Sequence, residues 1–266
     1  MIRIFSILAG LAFTFVLALA FVVEAVGTAK DGLPHTAEAT FHKHPKHLAL
    51  STDGPFGHFD RQQLQRGFAV YQNVCQNCHA LKHVAFRDLK ALGYNDAEVK
   101  AIAKNYQVPA YDAATGEAKT HAGLPTDHFP PVVYAGKGAP PDLSLMTKAR
   151  HGGPAYVYSL LTGYQAVPAD LPKENHPAEG LFYNPYFANL NIAMPQPLTS
   201  DGQVTYTDGT KATVDQMAQD VAAFLEWTAE PKLDKRKQTG WPVLGFLLFA
   251  TALAYMSKRT IWADKH

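Results

Sequence analysis

Cysteine is scarce: the chain carries two among 266 residues. Net charge is scarce as well, with 24 Lys and Arg against 23 Asp and Glu. The charge balance removes the global basic excess that a nucleic-acid binder would show, and there is no long acidic tail. No Arg- and Ser-rich transit peptide precedes the middle of the sequence, which argues against mitochondrial import. No internal repeat is present. The apolar share of 47% and charged share of 18% are those of a globular chain, so wholesale disorder is excluded. The length suits one sizeable domain with appendages.

What is abundant is apolar sequence at the two ends. Arg3 is followed by an uncharged run from Ile4 to Val23, with small residues near Ala25 and Ala29. A basic start, an apolar run and small residues fit a secretory signal peptide. The run is also long enough to span a bilayer uncleaved. Either reading exports the domain C-terminal to it. A second run, Gly240 to Ser257, holds no charge and lies between Lys235, Arg236 and Lys237 on one side and Lys258 and Arg259 on the other. Trp241 and Tyr255 sit at its ends, as interfacial anchors do. At about 18 residues it is near the minimum for a span.

These runs divide the chain into an N-terminal apolar segment (1–27), an exported domain (28–239), an anchor (240–257) and a tail (258–266). Basic flanks on both sides orient the anchor poorly. The order of the segments does better, with Arg3 inside, the domain outside and the C-terminus inside. That order places the domain on the periplasmic side of a bacterial inner membrane and the tail in the cytoplasm.

Within the domain, Asp60 and Gln63 form a capping-box pattern ahead of Leu64, Phe68, Tyr71 and Cys75, which share one helical face. Gly67 beside Phe68 would let another helix approach closely. Asn95 with Glu98 caps a second helix carrying Val99, Ile102 and Ala103. Tyr156 to Leu161 reads as a third, ended by Gly163. Val204 to Lys211, with Asp208-Gly209 inside, reads as a β-hairpin. Thr213 with Gln216 caps a last helix whose apolar face is Met217, Val221, Phe224 and Leu225, and Pro231 stops it. His35, His42, His44 and His47 form a His-rich tract ahead of the domain, read as a solvated linker with a metal site as the alternative.

The two cysteines fall in Cys75-Gln76-Asn77-Cys78-His79. Cys-x-x-Cys-His is the attachment signature of c-type haem. Two thiols one helical turn apart can each reach a vinyl group of one porphyrin, and the following imidazole can face the iron. A thioredoxin-like pair would need a βαβ setting, and none surrounds it. A zinc site would need a second ligand pair; His83 is near, but no fourth ligand is evident.

The second axial ligand is sought among five methionines. Met1 is the start, Met217 lies on a core stripe and Met256 is in the anchor, leaving Met146 and Met194. Met194 sits in an irregular loop stiffened by Pro195 and Pro197, with no periodic packing demand, and is favoured over a core-filling role. Arg150, before the flexible His151-Gly152-Gly153, is the candidate partner for the haem propionates because guanidinium matches carboxylate geometry. The expected fold class is mainly α: a class I cytochrome c-like haem domain with long loops and a small β-hairpin, plus a C-terminal transmembrane helix. The cofactor is one covalently bound haem c.

Several longer stretches resemble the cytochrome c1 family, the c-type haem subunits of ubiquinol–cytochrome c reductase. They are RGFAVYQNVCQNCHAL, PPDLSLMTKARHGGPAYVYSLLTGY, YNPYFANLNIAMPQPL and YTDGTKATVDQMAQDVAAFLEWTAEPK, together with the terminal anchor. They cover most of residues 60–257. The resemblance implies that Met194 is the sixth ligand. It also implies that Arg150 and Tyr156 lie near the propionates, and that Pro141, Phe187 and Ile192 line the haem.

It implies a task as well. One electron is taken from the Rieske iron–sulfur protein and passed to a cytochrome c, beside cytochrome b in a dimeric complex that supports respiratory proton-motive force. The chain departs from the family in having only Tyr134 to Ala139 before PPDLS, where many members carry a longer Asn-containing segment. Two other readings remain: a membrane-tethered c-type carrier working alone, and a haem enzyme or gas sensor in which Met194 does not ligate.

Overall fold

The computed structural model describes residues 2–31, 36–111, 116–134 and 139–265. The chain forms two compact units, Met1–His42 and Lys43–His266. In the first, α1 (Ile2–Asp31) holds the N-terminal apolar run. Its 30 residues make a rod of about 45 Å at 1.5 Å per residue, longer than a bilayer core of about 30 Å. A short α2 (Ala37–Phe41) comes next, capped by the Thr36 hydroxyl, which accepts from the Ala39 N–H at 3.2 Å. Of the His-rich tract, His35 lies outside the described residues. Among the described residues no group of three or more His, Cys, Asp or Glu could hold a metal ion.

The second unit is built on two crossed helices. α3 (Arg61–Val70) is started by Asp60, whose carboxylate accepts from the N–H groups of Gln62 at 2.9 Å and Gln63 at 3.4 Å. This satisfies two donors that a helix start otherwise leaves unpaired. Leu64, Phe68 and Tyr71 are buried along its inner face. α7 (Val214–Ala229) is capped by Thr213, which accepts from the Gln216 N–H at 3.1 Å. Its expected apolar stripe, Met217, Val221, Phe224 and Leu225, is entirely buried. Pro231 comes directly after its C-cap residue, Glu230.

The helices touch at Gly67, where a Cβ would lie 2.0 Å from the Asp220 carbonyl oxygen and 2.6 Å from the Phe224 Cβ. Around the crossing, Phe68, Tyr71, Phe86, Tyr106, Phe129, Phe224 and Trp227 form one aromatic core, with ring centroids 4.5 Å apart for Phe86 and Phe129 and 5.5 Å for Phe68 and Phe224.

A buried ion pair locks the same crossing. The Arg66 Nε donates to Asp220 at 3.0 Å and its Nη1 to Asp208 at 2.7 Å, while Gln216 Nε2 donates to Asp220 at 2.9 Å. Asp220 is fully buried. The Thr210 N–H and the Arg66 guanidinium hold the Asp208 carboxyl below its usual range. Removing the Asp220 carboxylate strands a largely buried guanidinium with one rim partner. Asp220→Leu is expected to cost about 3 kcal/mol in denaturant unfolding of the detergent-solubilised holoprotein. A cost indistinguishable from zero would show that the pair contributes nothing net.

The remaining elements are short. A π-helical turn (Tyr71–Cys75) continues α3, and a 3-10 segment (Phe86–Leu92) leads to α4 (Asp96–Lys104). α4 opens on a full Asn95–Glu98 capping box, as the sequence indicates. β1 (Gln107–Tyr111) pairs antiparallel with β2 (Ala118–Ala122), with Pro109 opposite Thr120. Proline is tolerated there because a two-stranded sheet is all edge. α5 (Met146–Ala149) and α6 (Gly153–Leu161) pack on α7. β3 (Phe182–Tyr183) pairs with β4 (Asn191–Ile192).

The hairpin expected at Val204–Lys211 does not form. No strand is assigned there, and the Asp208-Gly209 turn is instead pinned by the Thr210 N–H on Asp208 at 3.0 Å and by Arg66. Val204 and Tyr206 are buried in the domain rather than paired across a ladder. The Asp208-Gly209 turn is real, but no strands flank it.

α8 (Leu233–Ile261) contains the second apolar run and starts ahead of it, at the buried Leu233. At 29 residues it is long and apolar enough to cross a membrane.

Candidate haem-binding site

The Cys-x-x-Cys-His segment is one helical turn. The Cys75 carbonyl accepts from the Cys78 N–H at 3.1 Å and the His79 N–H at 2.9 Å. Wound this way, both thiols and the imidazole belong to a single rigid step at the end of α3. The π turn just before it adds a residue to the helical spiral at this point, a local feature often found at functional sites. Tyr71 supports the step from the core side, its hydroxyl donating to the His79 carbonyl at 3.0 Å. Both cysteines are free thiols. Burial, with the neighbouring Cys78, pushes the Cys75 thiol up to about 12.

His79 is held by a residue 62 positions away. Its Nδ1 lies 2.7 Å from the Pro141 carbonyl oxygen. A carbonyl only accepts, so Nδ1 carries the hydrogen and the Nε2 lone pair is left for a metal. Burial lowers the His79 pKa, against the opposing pull of the Pro141 hydrogen bond and Asp142, and favours the neutral imidazole that ligation requires. Two more links fasten the Pro141 segment alongside: the Lys82 N–H donates to Asp142 at 2.8 Å, and the Leu143 N–H to the Ala80 carbonyl at 3.0 Å.

A second set of contacts gathers the other candidates. Arg150 closes α5 with its guanidinium donating to the Ala149 carbonyl at 3.1 Å, and its charge opposes the burial that raises the Tyr156 phenol on α6. Tyr156 lies close to Tyr164, and burial together with Tyr156 pushes the Tyr164 phenol well up. The Tyr164 hydroxyl donates to the Met194 carbonyl at 2.9 Å. Met194 is half-buried and packs against the core, as does Met146 at the start of α5.

Phe187 and Ile192 precede Met194 on one tight turn. That turn is closed by the Phe187 N–H on the Asn184 carbonyl at 3.1 Å and the Asn184 N–H on the Leu190 carbonyl at 2.8 Å. Leu190 adopts φ +67° while fully buried, an uncommon backbone state for a branched residue. Such strain persists where surrounding structure fixes it, and functional loops are where it collects.

The structure thus joins His79 to Pro141 and Tyr164 to Met194, and it sets Arg150 near Tyr156, which lies close to Tyr164. Among the described residues no hydrogen bond joins the two sets directly; the chain does, since Pro141 leads into α5 and Arg150. Sequence reasoning missed Tyr71, Asp142 and Tyr164. Tyr164 had a local signal, an aromatic directly after the helix-ending Gly163, and Tyr71 had only its place on the buried helical face. Residues 135–138, within the shortened segment before PPDLS, lie outside the described residues.

The donor set suits haem. A tetrahedral zinc site would need at least three clustered His, Cys, Asp or Glu, and none exists among the described residues. A turn presenting two free thiols and an imidazole with a fixed Nδ1 hydrogen, in a mainly helical domain with a C-terminal apolar helix, defines a c-type cytochrome.

Similarity to known proteins narrows the class. The chain matches the Cytochrome C1 family over residues 50–265, and it belongs to that family. It is 45% identical over 237 residues to cytochrome c1 of Rhodospirillum rubrum, covering 81% of this chain and 87% of that one. It is 39% identical over 248 residues to the mitochondrial cytochrome c1 haem protein of Saccharomyces cerevisiae, covering 90% of this chain and 76% of that one. A cytochrome b/c1 of Bradyrhizobium diazoefficiens is 43% identical over 239 residues, and the chain spans only 35% of its length. Proteins of this family carry haem c, and the chain is a membrane-associated electron-transfer subunit of the cytochrome bc1 complex.

Proposed function

We propose that this protein takes one electron from a Rieske iron–sulfur protein and passes it to a cytochrome c, within a dimeric ubiquinol–cytochrome c reductase that supports proton-motive force. The observation that carries the reading is the 2.7 Å contact between His79 Nδ1 and the Pro141 carbonyl, which leaves Nε2 as a pre-oriented ligand next to two free thiols.

Cys75 and Cys78 would attach the haem covalently, and His79 and Met194 would ligate its iron. Arg150 and Tyr156 would hold its propionates, while Pro141, Phe187 and Ile192 would line its pocket. The bound haem supplies the one-electron couple. The protein sets its potential through a thioether and an imidazole donor and through the polarity of the surrounding wall.

The family's membership of the bc1 complex supports cytochrome b as the neighbour, and so does the relative named cytochrome b/c1. Two long apolar helices and bacterial relatives support a place in a bacterial inner membrane; the order of segments, with Arg3 inside and the domain outside, supports a periplasmic haem domain and a cytoplasmic C-terminus.

Purification of the tagged protein in mild detergent tests the assembly. Co-purification of b-type haem and a Rieske protein is the expected result. A preparation in which crosslinking before solubilisation still yields c-type haem alone would point to a carrier that works by itself.

A further inference from the structure

The segment between Leu50 and α3 takes no part in the haem site. It is a loop, residues 51–59, folded onto the junction of α7 and α8. The Lys237 ammonium donates to the carbonyls of Thr52 and Gly54, the latter at 2.7 Å. The Thr52 hydroxyl donates to Glu226 at 2.6 Å, and the Phe59 N–H to Asp234 at 3.1 Å. At Gly57 a Cβ would lie 2.3 Å from the Asp53 carbonyl oxygen, so the loop doubles back tightly here.

The result is a rigid finger whose tip is Pro55-Phe56-Gly57. Phe56 is 76% exposed, yet its ring is ordered against α8: it stacks on Trp241 at 5.1 Å between centroids, with planes 13° apart. Trp241 is itself 48% exposed and begins the apolar stretch of the helix.

A phenyl ring held at a loop tip with three-quarters of its surface in water is unfavourable. The same ring at the depth of an interfacial tryptophan is not, because that zone accepts aromatic faces. The loop is tied to α8 by hydrogen bonds and by the ring stack, so the depth of Trp241 fixes the depth of Phe56.

We propose that loop 51–59 is a second membrane-contacting element. Phe56 inserts beside Trp241 at the boundary between headgroups and acyl chains of the phospholipid leaflet nearest the haem domain. The proposal rests on α8 being a membrane span. Its consequence is mechanical. A domain joined to the membrane only through flexible connections to its helices can swivel; one that also grips the surface at Phe56 keeps a fixed tilt and height, and so presents its haem edge at a defined distance from membrane-bound partners.

The test is site-directed spin labelling of the full-length holoprotein in nanodiscs of phosphatidylcholine and phosphatidylglycerol. Phe56→Cys and, as a second exposed tip position, Pro55→Cys are compared with Trp241→Cys as depth reference. Val133→Cys, 96% exposed in the native chain, is the aqueous reference. In the holoprotein the native cysteines are consumed by haem, so each variant carries one reactive thiol.

The expected ratio of oxygen to nickel-chelate accessibility at Phe56→Cys matches that at Trp241→Cys and exceeds that at Val133→Cys by roughly threefold or more. A value equal to the aqueous reference, with Trp241→Cys still interfacial, overturns the proposal alone. So does protection from both reagents, which would mean that protein covers the tip. An aqueous value at Trp241→Cys would overturn the membrane-span reading itself.

Discussion

Met194→Leu is expected to leave haem covalently attached and to lower its reduction potential by on the order of 0.2 V, part of the roughly 0.8 V range that axial ligation commands. The two effects separate because the residues proposed for attachment and for ligation reside on different elements. The thiols and His79 lie on one turn at the end of α3, whereas Met194 lies beyond β4, where its carbonyl is held by Tyr164 at 2.9 Å.

Leucine fills nearly the same volume without a sulfur lone pair, so the loop can keep its packing while the iron loses a donor. Carbon monoxide should then bind the reduced protein at neutral pH, which the parent should resist. Redox titration and carbon monoxide difference spectra check both. An unchanged potential with no carbon monoxide binding would remove Met194 as the ligand and turn attention to Met146, which is half-buried on the same domain.

Gly67→Ala is expected to be the most damaging single methyl addition in the domain. Most substitutions at helix glycines gain a little stability from reduced backbone entropy. Here the new Cβ would sit 2.0 Å from the Asp220 carbonyl oxygen and 2.6 Å from the Phe224 Cβ. One atom is main chain and the other is bonded to it, so no side-chain rotation relieves the clash. The helices must move apart, and the separation opens the core at Phe68, Met217 and Phe224 and weakens the Arg66–Asp220 pair.

Overpacking of this kind costs about 3 kcal/mol, against a typical total stability of about 5–15 kcal/mol. Haem-stained holoprotein should fall to a small fraction of the parent level, with a lower thermal midpoint in what remains. Gly245→Ala, at a position with nothing within 4 Å, is the control and should accumulate normally. Normal accumulation and an unchanged midpoint for Gly67→Ala would show that the crossing is looser than the structure has it.

The helix starts at Asp60, Asn95 and Thr213 were legible because a cap is a local device: acceptor and donor lie within three residues of each other. The buried stripe of α7 was legible because 3.6-residue periodicity needs only a short window. Gly67 was legible as a point of close approach because few other reasons place glycine inside an amphipathic helix. The hairpin expected at Val204–Lys211 shows where such reasoning fails. An Asp-Gly pair marks a tight turn, and it is silent on whether the flanking residues pair as strands or pack into the core of the domain.

The sequence by itself determined the chemistry: two thiols and an imidazole on one turn, a short list of methionines, and apolar runs at both ends. All of that is encoded in spacing along a few residues. The tertiary structure alone decided which carbonyl fixes the His79 tautomer, which hydroxyl holds the Met194 backbone, and that Arg150 stands near Tyr156. His79 and Pro141 are 62 residues apart, and Tyr164 and Met194 are 30. No local pattern encodes such pairs. They arise only once the α3–α7 crossing has buried its apolar faces and brought distant loops within hydrogen-bonding distance, where a polar group cut off from water has to find its partner in the protein.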